Sequence, residues 1–75
     1  MRELIEYIAR SIVTAPDEVK VTEEPSGEWI VFKLEVAQED KGRVIGKQGR
    51  VAQAMRTLLR VAAVREGTRA MLEIV

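Results

Sequence analysis

The stretch Gly42–Arg60, GRVIGKQGRVAQAMRTLLR, decides how the chain folds. It has the apolar spacing of a helix on both sides of a break, and two glycines, Gly46 and Gly49, stand within that break. Each glycine costs roughly 1 kcal/mol relative to alanine inside a helix, so one continuous helix is disfavoured. The stretch therefore predicts a turn between two helices, a short one over Glu39–Ile45 and a long one that begins at Arg50.

The long helix has clear signals at its end and on its faces. Arg65 stands in the predicted last turn and Gly67 follows it, which is typical of a helix C-terminus. Apolar residues at helical spacing predict the stripe that faces the core, formed by Val51, Met55, Leu58, Leu59 and Ala62. Arg56 and Arg60 lie on another side, and we expect them to form a solvated face.

The remaining chain predicts one helix and three strands. An amphipathic first helix ends at Pro16, and its apolar residues are Leu4, Ile5, Ile8, Ile12 and Val13. A strand over Val19–Thr22 leads into a turn over Glu23–Gly27. A second strand covers Glu28–Val36, and a last strand covers Arg69–Val75. The second strand has one continuous apolar face, formed by Ile30, Phe32, Leu34 and Val36.

This order of elements predicts an α+β fold, α-β-β-α-α-β, with a three-stranded mixed sheet and three helices on one face. A short turn joins the first two strands, so they should pair antiparallel. The second and third strands are connected through two helices, which predicts a parallel, right-handed crossover. With 75 residues, the chain has the length of one small domain, and we expect residues 1–75 to form it.

The charges are unevenly distributed although the net charge is zero. Residues 1–40 contain four cations against ten carboxylates, whereas residues 41–69 contain eight cations against one carboxylate. A chain of this length has a radius of gyration of roughly 11 Å. Its opposite faces are therefore separated by more than two Debye lengths of ~8 Å in physiological salt. The second half can thus attract an anion despite the neutral total.

The composition excludes several classes of function. The chain has no cysteine and no histidine, which removes disulfides, thiolate ligands and imidazole bases. Glu39 and Asp40 are adjacent, so on a helix they point about 100° apart and do not easily share a proton. Gly42 to Lys47 is one residue short of a P-loop, and Gln48 replaces its Ser or Thr. We predict no enzymatic activity, no cofactor, no metal and no small-molecule substrate.

No apolar run approaches the roughly 20 residues of a membrane span. We therefore expect a soluble, cytoplasmic chain with no membrane partner.

The glycine break has the chemistry of an anion site. Gly46 and Gly49 can take positive φ, and without Cβ atoms they let another backbone come close. The break leads into the start of the long helix, where the first N–H groups are unpaired and the dipole is positive. Lys47 and Arg50 add positive charge.

These residues resemble the core signature of the KH domain family, Val-Ile-Gly-x-x-Gly followed by a basic residue. The resemblance lies in Val44, Ile45, Gly46, Lys47, Gln48, Gly49 and Arg50. The element order is similar to type II KH domains, in which an extra helix and strand precede the core. The chain looks like the small bacterial KH proteins that stand alone, and this likeness spans nearly its whole length.

The resemblance implies binding of single-stranded RNA and a role as an RNA chaperone or post-transcriptional regulator. It also implies a homodimer and a larger, Jag-like KH partner protein. One position departs from the family: many KH cores have a β-branched residue where this chain has Ala52, which implies a shallower groove.

We expect the RNA phosphates to run along the glycine break, held by backbone N–H groups, Lys47 and Arg50. About four bases would then turn onto an apolar strip between the helices and the sheet. Three candidates form this strip, Val44, Ile45 and Val51, although Ile45 and Val51 are equally consistent with the core. Arg43 lies close to the break and is a further candidate contact.

Other features of the sequence have two interpretations. Ala54 and Val61, with Thr57 between them, lie outside the predicted core stripe. They are either a dimer seam or isolated apolar residues of an ordinary surface. Trp29 is either a stacking surface or a strand-packing residue, and we predict no stacking on it. The alternative function is a protein-interaction module, in which the basic long helix docks on an acidic partner and the glycine break is purely structural.

Overall fold

The helices and strands follow one another in the predicted order. The structure is a computed structural model that describes all 75 residues. Its elements are α1 (Arg2–Ile12), β1 (Lys20–Ser26), β2 (Trp29–Glu35), α2 (Lys41–Ile45), α3 (Arg50–Arg65) and β3 (Arg69–Ile74). Three short 3-10 turns, over Pro16–Glu18, Gln38–Asp40 and Lys47–Gly49, connect them. The α+β class and the order of its elements are confirmed.

The sheet has the strand order β1-β2-β3, with β2 in the centre. Strands β1 and β2 pair antiparallel, and Val21 stands opposite Leu34. Strands β2 and β3 pair parallel, and Phe32 stands opposite Leu72. The chain passes from β2 to β3 through α2 and α3, so the predicted mixed sheet with a helical crossover is confirmed.

The predicted end of the first strand was wrong. β1 continues through residues 23–26 to Ser26, and the turn is confined to Gly27 and Glu28. Pro25, which suggested a turn, stands in the strand opposite Ile30. A proline is tolerated there because β1 is an edge strand, where a missing N–H need not interrupt a second ladder.

The core lies between the sheet and the helices. Five large side chains are fully buried: Phe32 and Leu34 of β2, Ile5 of α1, and Met55 and Leu59 of α3. Helix α1 packs against β1, and α3 packs against β3. No helix in the structure is long and apolar enough to cross a membrane.

The face that α3 turns to the core differs from the predicted stripe. The buried residues of α3 are Ala52, Met55, Leu59 and Ala63. Leu58, which its apolar character assigned to the core, is 48% exposed. The inward face thus combines two alanines, at positions 52 and 63, with the larger Met55 and Leu59. Hydrophobicity alone favoured the larger leucine, and this prediction was wrong.

Candidate nucleic-acid interface

The GKQG corner, Gly46–Gly49, is a tight reversal between α2 and α3 that depends on unusual backbone angles. Gly46 has φ 77° and ψ 173°, and Gly49 has φ 74° in the left-handed region. Gln48 also has a positive φ of 58° and is the only non-glycine residue in the chain that does. The N–H of Gly49 donates to the carbonyl oxygen of Gly46 at 3.1 Å, which closes the turn.

The two glycines of the corner are required for different reasons. A Cβ atom on Gly46 would stand 2.8 Å from the backbone nitrogen of Val51 and would overlap the Val51 side chain. A Cβ on Gly49 would meet nothing within 4 Å. Gly46 is therefore needed both for its positive φ and for a close approach of two backbone segments, whereas Gly49 is needed only for its positive φ.

The corner delivers the chain into α3, where the N–H of Arg50 donates to the carbonyl oxygen of Lys47 and no side chain caps the helix. Gly49 is the N-cap residue, and no side chain places a carboxylate in the first turn. The first N–H groups of a helix have no partner within it, and the helix dipole is positive at this end. The start of α3 is therefore a positively polarised surface beside the corner.

The cations at the corner are accessible and have no carboxylate partner. Lys47, Gln48 and Arg50 are exposed, and none of the ion pairs in the structure involves Lys47 or Arg50. The guanidinium of Arg50 donates a hydrogen bond to Oε1 of Gln48 at 3.3 Å. The corner thus presents two unneutralised charges beside the start of α3.

Two of the three residues predicted for an apolar strip beside the corner reach the surface. Ile45 is 41% exposed and Val51 is half-buried, so both side chains reach the surface. Val44 is fully buried in the core. Its side chain cannot touch a ligand without unfolding, and its assignment to the strip was wrong. The motif treats Val44 and Ile45 alike. Adjacent positions of a helix point about 100° apart, however, so Val44 faces the core while Ile45 faces the surface.

Arg43 is exposed and is engaged with a buried carboxylate. Its Nε lies 3.6 Å from Oδ1 of Asp40. Asp40 is fully buried, and it accepts hydrogen bonds from the N–H of Thr14 at 3.0 Å, the hydroxyl of Thr14 at 2.8 Å and the N–H of Ala15 at 3.1 Å. These bonds tie the segment after α1 to the start of α2, which positions the helix that leads into the corner.

The environment of Asp40 favours its charged form. The hydrogen bond from the Thr14 backbone lowers the pKa of Asp40 most strongly, and burial opposes this by raising it. The Thr14 hydroxyl, the Ala15 N–H and the positive charge of Arg43 lower the pKa further, so that the net shift is downward. Sequence reasoning missed this anchor because its partners lie 25 and 26 residues away along the chain.

The side of α3 that turns towards β3 carries arginines. Arg56 is half-buried, so the expectation of a fully solvated Arg56 and Arg60 face was wrong for Arg56, while Arg60 is exposed. Both line a cavity together with Trp29, and this was not expected from helical spacing alone. The candidate dimer seam lies on another side, where Ala54, Thr57 and Val61 are all exposed.

A mixed three-stranded sheet under three helices, with a glycine corner between the last two, defines a type II KH fold. The family model "KhpA/KhpB, KH domain" matches residues 2–74, and the chain belongs to this family. The chain is 51% identical over 75 residues to "RNA-binding protein KhpA" of Clostridium acetobutylicum, covering the whole of both proteins. It is 52% identical over 73 residues to "RNA-binding protein KhpA" of Treponema pallidum, covering 97% of this chain and 91% of that protein.

Two solved structures of Era share the fold at 20% sequence identity. One is a crystal structure of Aquifex aeolicus Era bound to GDP and AlF4⁻, with a TM-score of 0.63. The other is Era in complex with MgGDPNP and nucleotides 1506–1542 of 16S ribosomal RNA, with a TM-score of 0.62. Each likeness covers 97% of this chain and 28% of the Era chain, and it therefore shows the fold of one part of Era.

Proposed function

We propose that the chain binds single-stranded RNA at the GKQG corner. The observation that carries this proposal is the exposed corner itself, which lies at the uncapped, positive end of α3 with Lys47 and Arg50 unpaired. Backbone N–H groups and a positive helix end are suited to phosphate oxygens. The names of the relatives, RNA-binding proteins at about half sequence identity, support the same function.

The proposed RNA path follows the corner and then the apolar strip. Gly46 and Gly49 have no side chains to hold the sugar-phosphate backbone away from the corner. Bases turn from the corner onto Ile45 and Val51, and a KH unit clamps about four nucleotides. The proposed contact residues are Arg43, Ile45, Gly46, Lys47, Gln48, Gly49, Arg50 and Val51.

The cellular role that fits this chemistry is that of a cytoplasmic, non-enzymatic RNA chaperone or post-transcriptional regulator, in which residues 1–75 act as one KH domain. A site for about four nucleotides is weak and permissive by itself. Linking two such sites raises the effective concentration at the second, so association with another KH protein strengthens RNA binding.

The exposed side of α3 is the proposed surface for that association. The proposed seam contains Ala54, Thr57 and Val61, and we add Leu58 and Val64 to it because they are 48% and 72% exposed. These five residues make a row of mostly apolar side chains along one side of the helix, termed here the α3 row. We propose that the α3 row pairs with a second copy of the chain and with a larger, Jag-like KH protein.

The RNA-binding proposal is tested by Lys47→Asp combined with Gln48→Asp. Both side chains are exposed, so we expect thermal stability to be nearly unchanged and RNA binding to be lost. The parent's affinity for single-stranded RNA should fall as salt is added. In a plot of log affinity against log salt concentration we expect a slope of about −1.5 to −2, because two or three phosphate contacts contribute ~0.7 each. Binding and slope are measured by fluorescence anisotropy of a labelled oligonucleotide.

A control with the same change in net charge is Lys20→Asp combined with Thr22→Asp on β1. Both positions are exposed and distant in sequence from the corner, so this variant should keep most of the RNA affinity. Equal affinities of the parent and the corner variant would favour the alternative, in which the basic helix binds a protein and the corner is only structural.

A further inference from the structure

The sheet has two edges, and they differ in how open they are to pairing with another strand. An edge strand has backbone N–H and C=O groups that point away from its neighbour and can pair with an added strand. On β1 such pairing is obstructed at Pro25, which has no N–H, and α1 packs against this strand. β3 forms the other edge, contains no proline and has no strand on its outer side.

The register shows which backbone groups of β3 point outwards. The N–H of Val75 donates to the carbonyl oxygen of Leu34 at 3.0 Å. Successive peptide groups of a strand point to opposite sides, so the odd-numbered residues of β3 bond to β2 and the even-numbered ones face away from it. The outward groups are therefore the N–H and C=O of Ala70, Leu72 and Ile74. No turn, cap or side chain bonds to them.

Basic side chains of α3 lie beside the same edge. A cavity of about 260 Å³ between α3 and β3 is lined by Arg56 and Arg60 and by residues 70–72 of the strand. No carboxylate lines this cavity, and neither guanidinium takes part in an ion pair. A strand added at β3 would lie beside the cavity, and every second side chain of that strand would point towards the two arginines.

The backbone groups and the charges together decide between three kinds of occupant. A second copy, paired through its own β3, would place both α3 helices on one face of a continuous sheet. Arg56 and Arg60 of the two copies would then meet, which like charges oppose. An RNA strand would suit the arginines, but its phosphates only accept hydrogen bonds and would leave the outward C=O groups of β3 unpaired. An acidic polypeptide satisfies the backbone groups and the arginines alike.

We infer that β3 accepts an extended acidic segment of another protein as a fourth strand. The segment runs antiparallel to β3, the more stable arrangement per residue, and pairs with the N–H and C=O groups of Ala70 and Leu72. Two carboxylates at alternate positions meet Arg56 and Arg60. The residue between them packs against Met71, which is 49% exposed on the other face of the sheet. The GKQG corner takes no part, so pairing at β3 is independent of the proposed RNA site.

The probe is the peptide TEIEVT with both termini blocked, and the readout is amide exchange with D2O, followed by NMR. At nine-tenths occupancy, exchange at Ala70 and Leu72 should slow by about ten-fold, because only the free tenth of the molecules exchanges there. The N–H groups of Met71 and Glu73 already bond to β2, so they should show no comparable change. Absence of protection at Ala70 and Leu72 with the peptide bound would overturn the inference.

Two methylated peptides separate strand pairing from attraction between charges. In the expected register, a methyl group on the N–H of the first glutamate of TEIEVT removes the donor to the C=O of Leu72. A methyl group on the isoleucine N–H removes a donor that faces away from β3. The first peptide should bind about ten-fold more weakly than the second, because it leaves a strand carbonyl unpaired. Equal affinities of the two methylated peptides would contradict strand addition.

The role of the charges is tested with Arg60→Gln. This variant should bind TEIEVT about two- to five-fold more weakly than the parent, which is the effect of losing one exposed ion pair. Arg65→Gln is the matched control, because Arg65 is an exposed arginine of the same helix that does not line the cavity, and it should bind like the parent. If the two variants bind equally well, and the peptide TKIKVT binds as tightly as TEIEVT, the edge does not select an acidic segment.

Two further results would assign the edge to another occupant and overturn the inference. Protection of Ala70 and Leu72 that rises with protein concentration and needs no peptide would identify a second copy. Protection by a single-stranded RNA octamer but not by TEIEVT would identify RNA. The variant with Lys47→Asp and Gln48→Asp should bind TEIEVT as the parent does. Failure of the peptide therefore leaves the RNA site at the corner standing, and failure of the corner leaves the pairing at β3 standing.

Discussion

At the residue scale, the chemistry of the corner depends on the absence of two side chains. Gly46 lies where the end of α2 touches the start of α3, and the backbone nitrogen of Val51 occupies the space a Cβ would need. Gly49 faces open space and is required only by its φ of 74°. Both glycines are thus required for conformation, and Gly46 is required for proximity as well, so comparing the two substitutions isolates the effect of the close contact.

Gly46→Ala should destabilise the protein more than Gly49→Ala. A left-handed backbone costs a non-glycine residue roughly 1–2 kcal/mol, and we expect a loss of that size for Gly49→Ala. Gly46→Ala also creates an overlap between its Cβ and the backbone of α3, which no rotamer change can relieve. The free energy of unfolding of this variant should therefore fall by more than about 2 kcal/mol. Urea unfolding measures both values.

Gly42→Ala serves as the reference, because Gly42 has no unusual φ and open space around it, and it lies within α2. It should be neutral or stabilising by up to about 1 kcal/mol. Equal losses for the variants at positions 46 and 49 would show that the contact with Val51 does not constrain the corner.

At the scale of elements, α3 has a different task on each of its sides. One side packs Ala52, Met55, Leu59 and Ala63 into the core. A second side places Arg56 and Arg60 at a cavity that Trp29 also lines, and the first turn adjoins the GKQG corner. The α3 row occupies the remaining side. Exposed apolar side chains bordered by charged residues are typical of an interaction surface.

Val61→Glu should convert a self-associated parent into a monomer. Val61 is 53% exposed near the middle of the α3 row, so a carboxylate there would be buried against its own copy in a symmetric dimer. Sedimentation velocity at several protein concentrations measures the association. Val61 is exposed in the single chain. At high dilution, the free energy of unfolding of the Val61→Glu variant should therefore differ from that of the parent by no more than about 0.5 kcal/mol.

Gln38→Glu makes the same change in charge at an exposed position outside α3, and it should leave association unaltered. Identical monomeric sedimentation of the parent and Val61→Glu would remove the α3 row as a dimer interface without affecting the proposed RNA site.

At the scale of the whole molecule, charge and shape decide which side of the protein attracts an anion. The chain has a radius of gyration of 11.8 Å and extents of 34, 22 and 17 Å, so its faces are electrostatically distinct when the Debye length is ~8 Å. The cationic half of the sequence forms α2, the corner, α3 and the start of β3, and the acidic half forms α1, β1 and β2. Asp40 joins the two halves, since it holds the segment after α1 against the start of α2.

Asp40→Asn should lower the stability of the whole domain and flatten its dependence on pH. The pKa of Asp40 is lower in the folded state than its ordinary value of 3.8, so the ionised form stabilises the fold above that value. This contribution is lost as the pH falls through the folded pKa. We expect the urea midpoint of the parent to decrease from pH 7 to about pH 3 by more than that of the variant.

Asp17→Asn is the matched control, because Asp17 is an exposed aspartate in a 3-10 turn, and it should follow the parent's profile. Parallel profiles of the parent and Asp40→Asn would mean that the buried carboxylate does not link folding to pH.

The sequence by itself determined the order of the elements, the mixed sheet and the GKQG corner. Those features follow from signals between near neighbours: helical spacing, alternation in β2, and two glycines that a helix disfavours. The end of β1 was mispredicted because Pro25 suggested a turn. Whether a strand tolerates proline depends on whether it lies at the edge of a sheet, which the local sequence does not reveal.

Only the tertiary structure decided which side chains the molecule buries and which it offers. It placed Val44 in the core and Leu58 outside it, because the angle at which each helix packs on its neighbours decides which of two adjacent side chains faces inward. It also joined Asp40 to Thr14 and brought Trp29 beside Arg60, pairs that are 26 and 31 positions apart in the sequence. Contacts between such distant residues depend on how whole elements pack, and local periodicity carries no information about that packing.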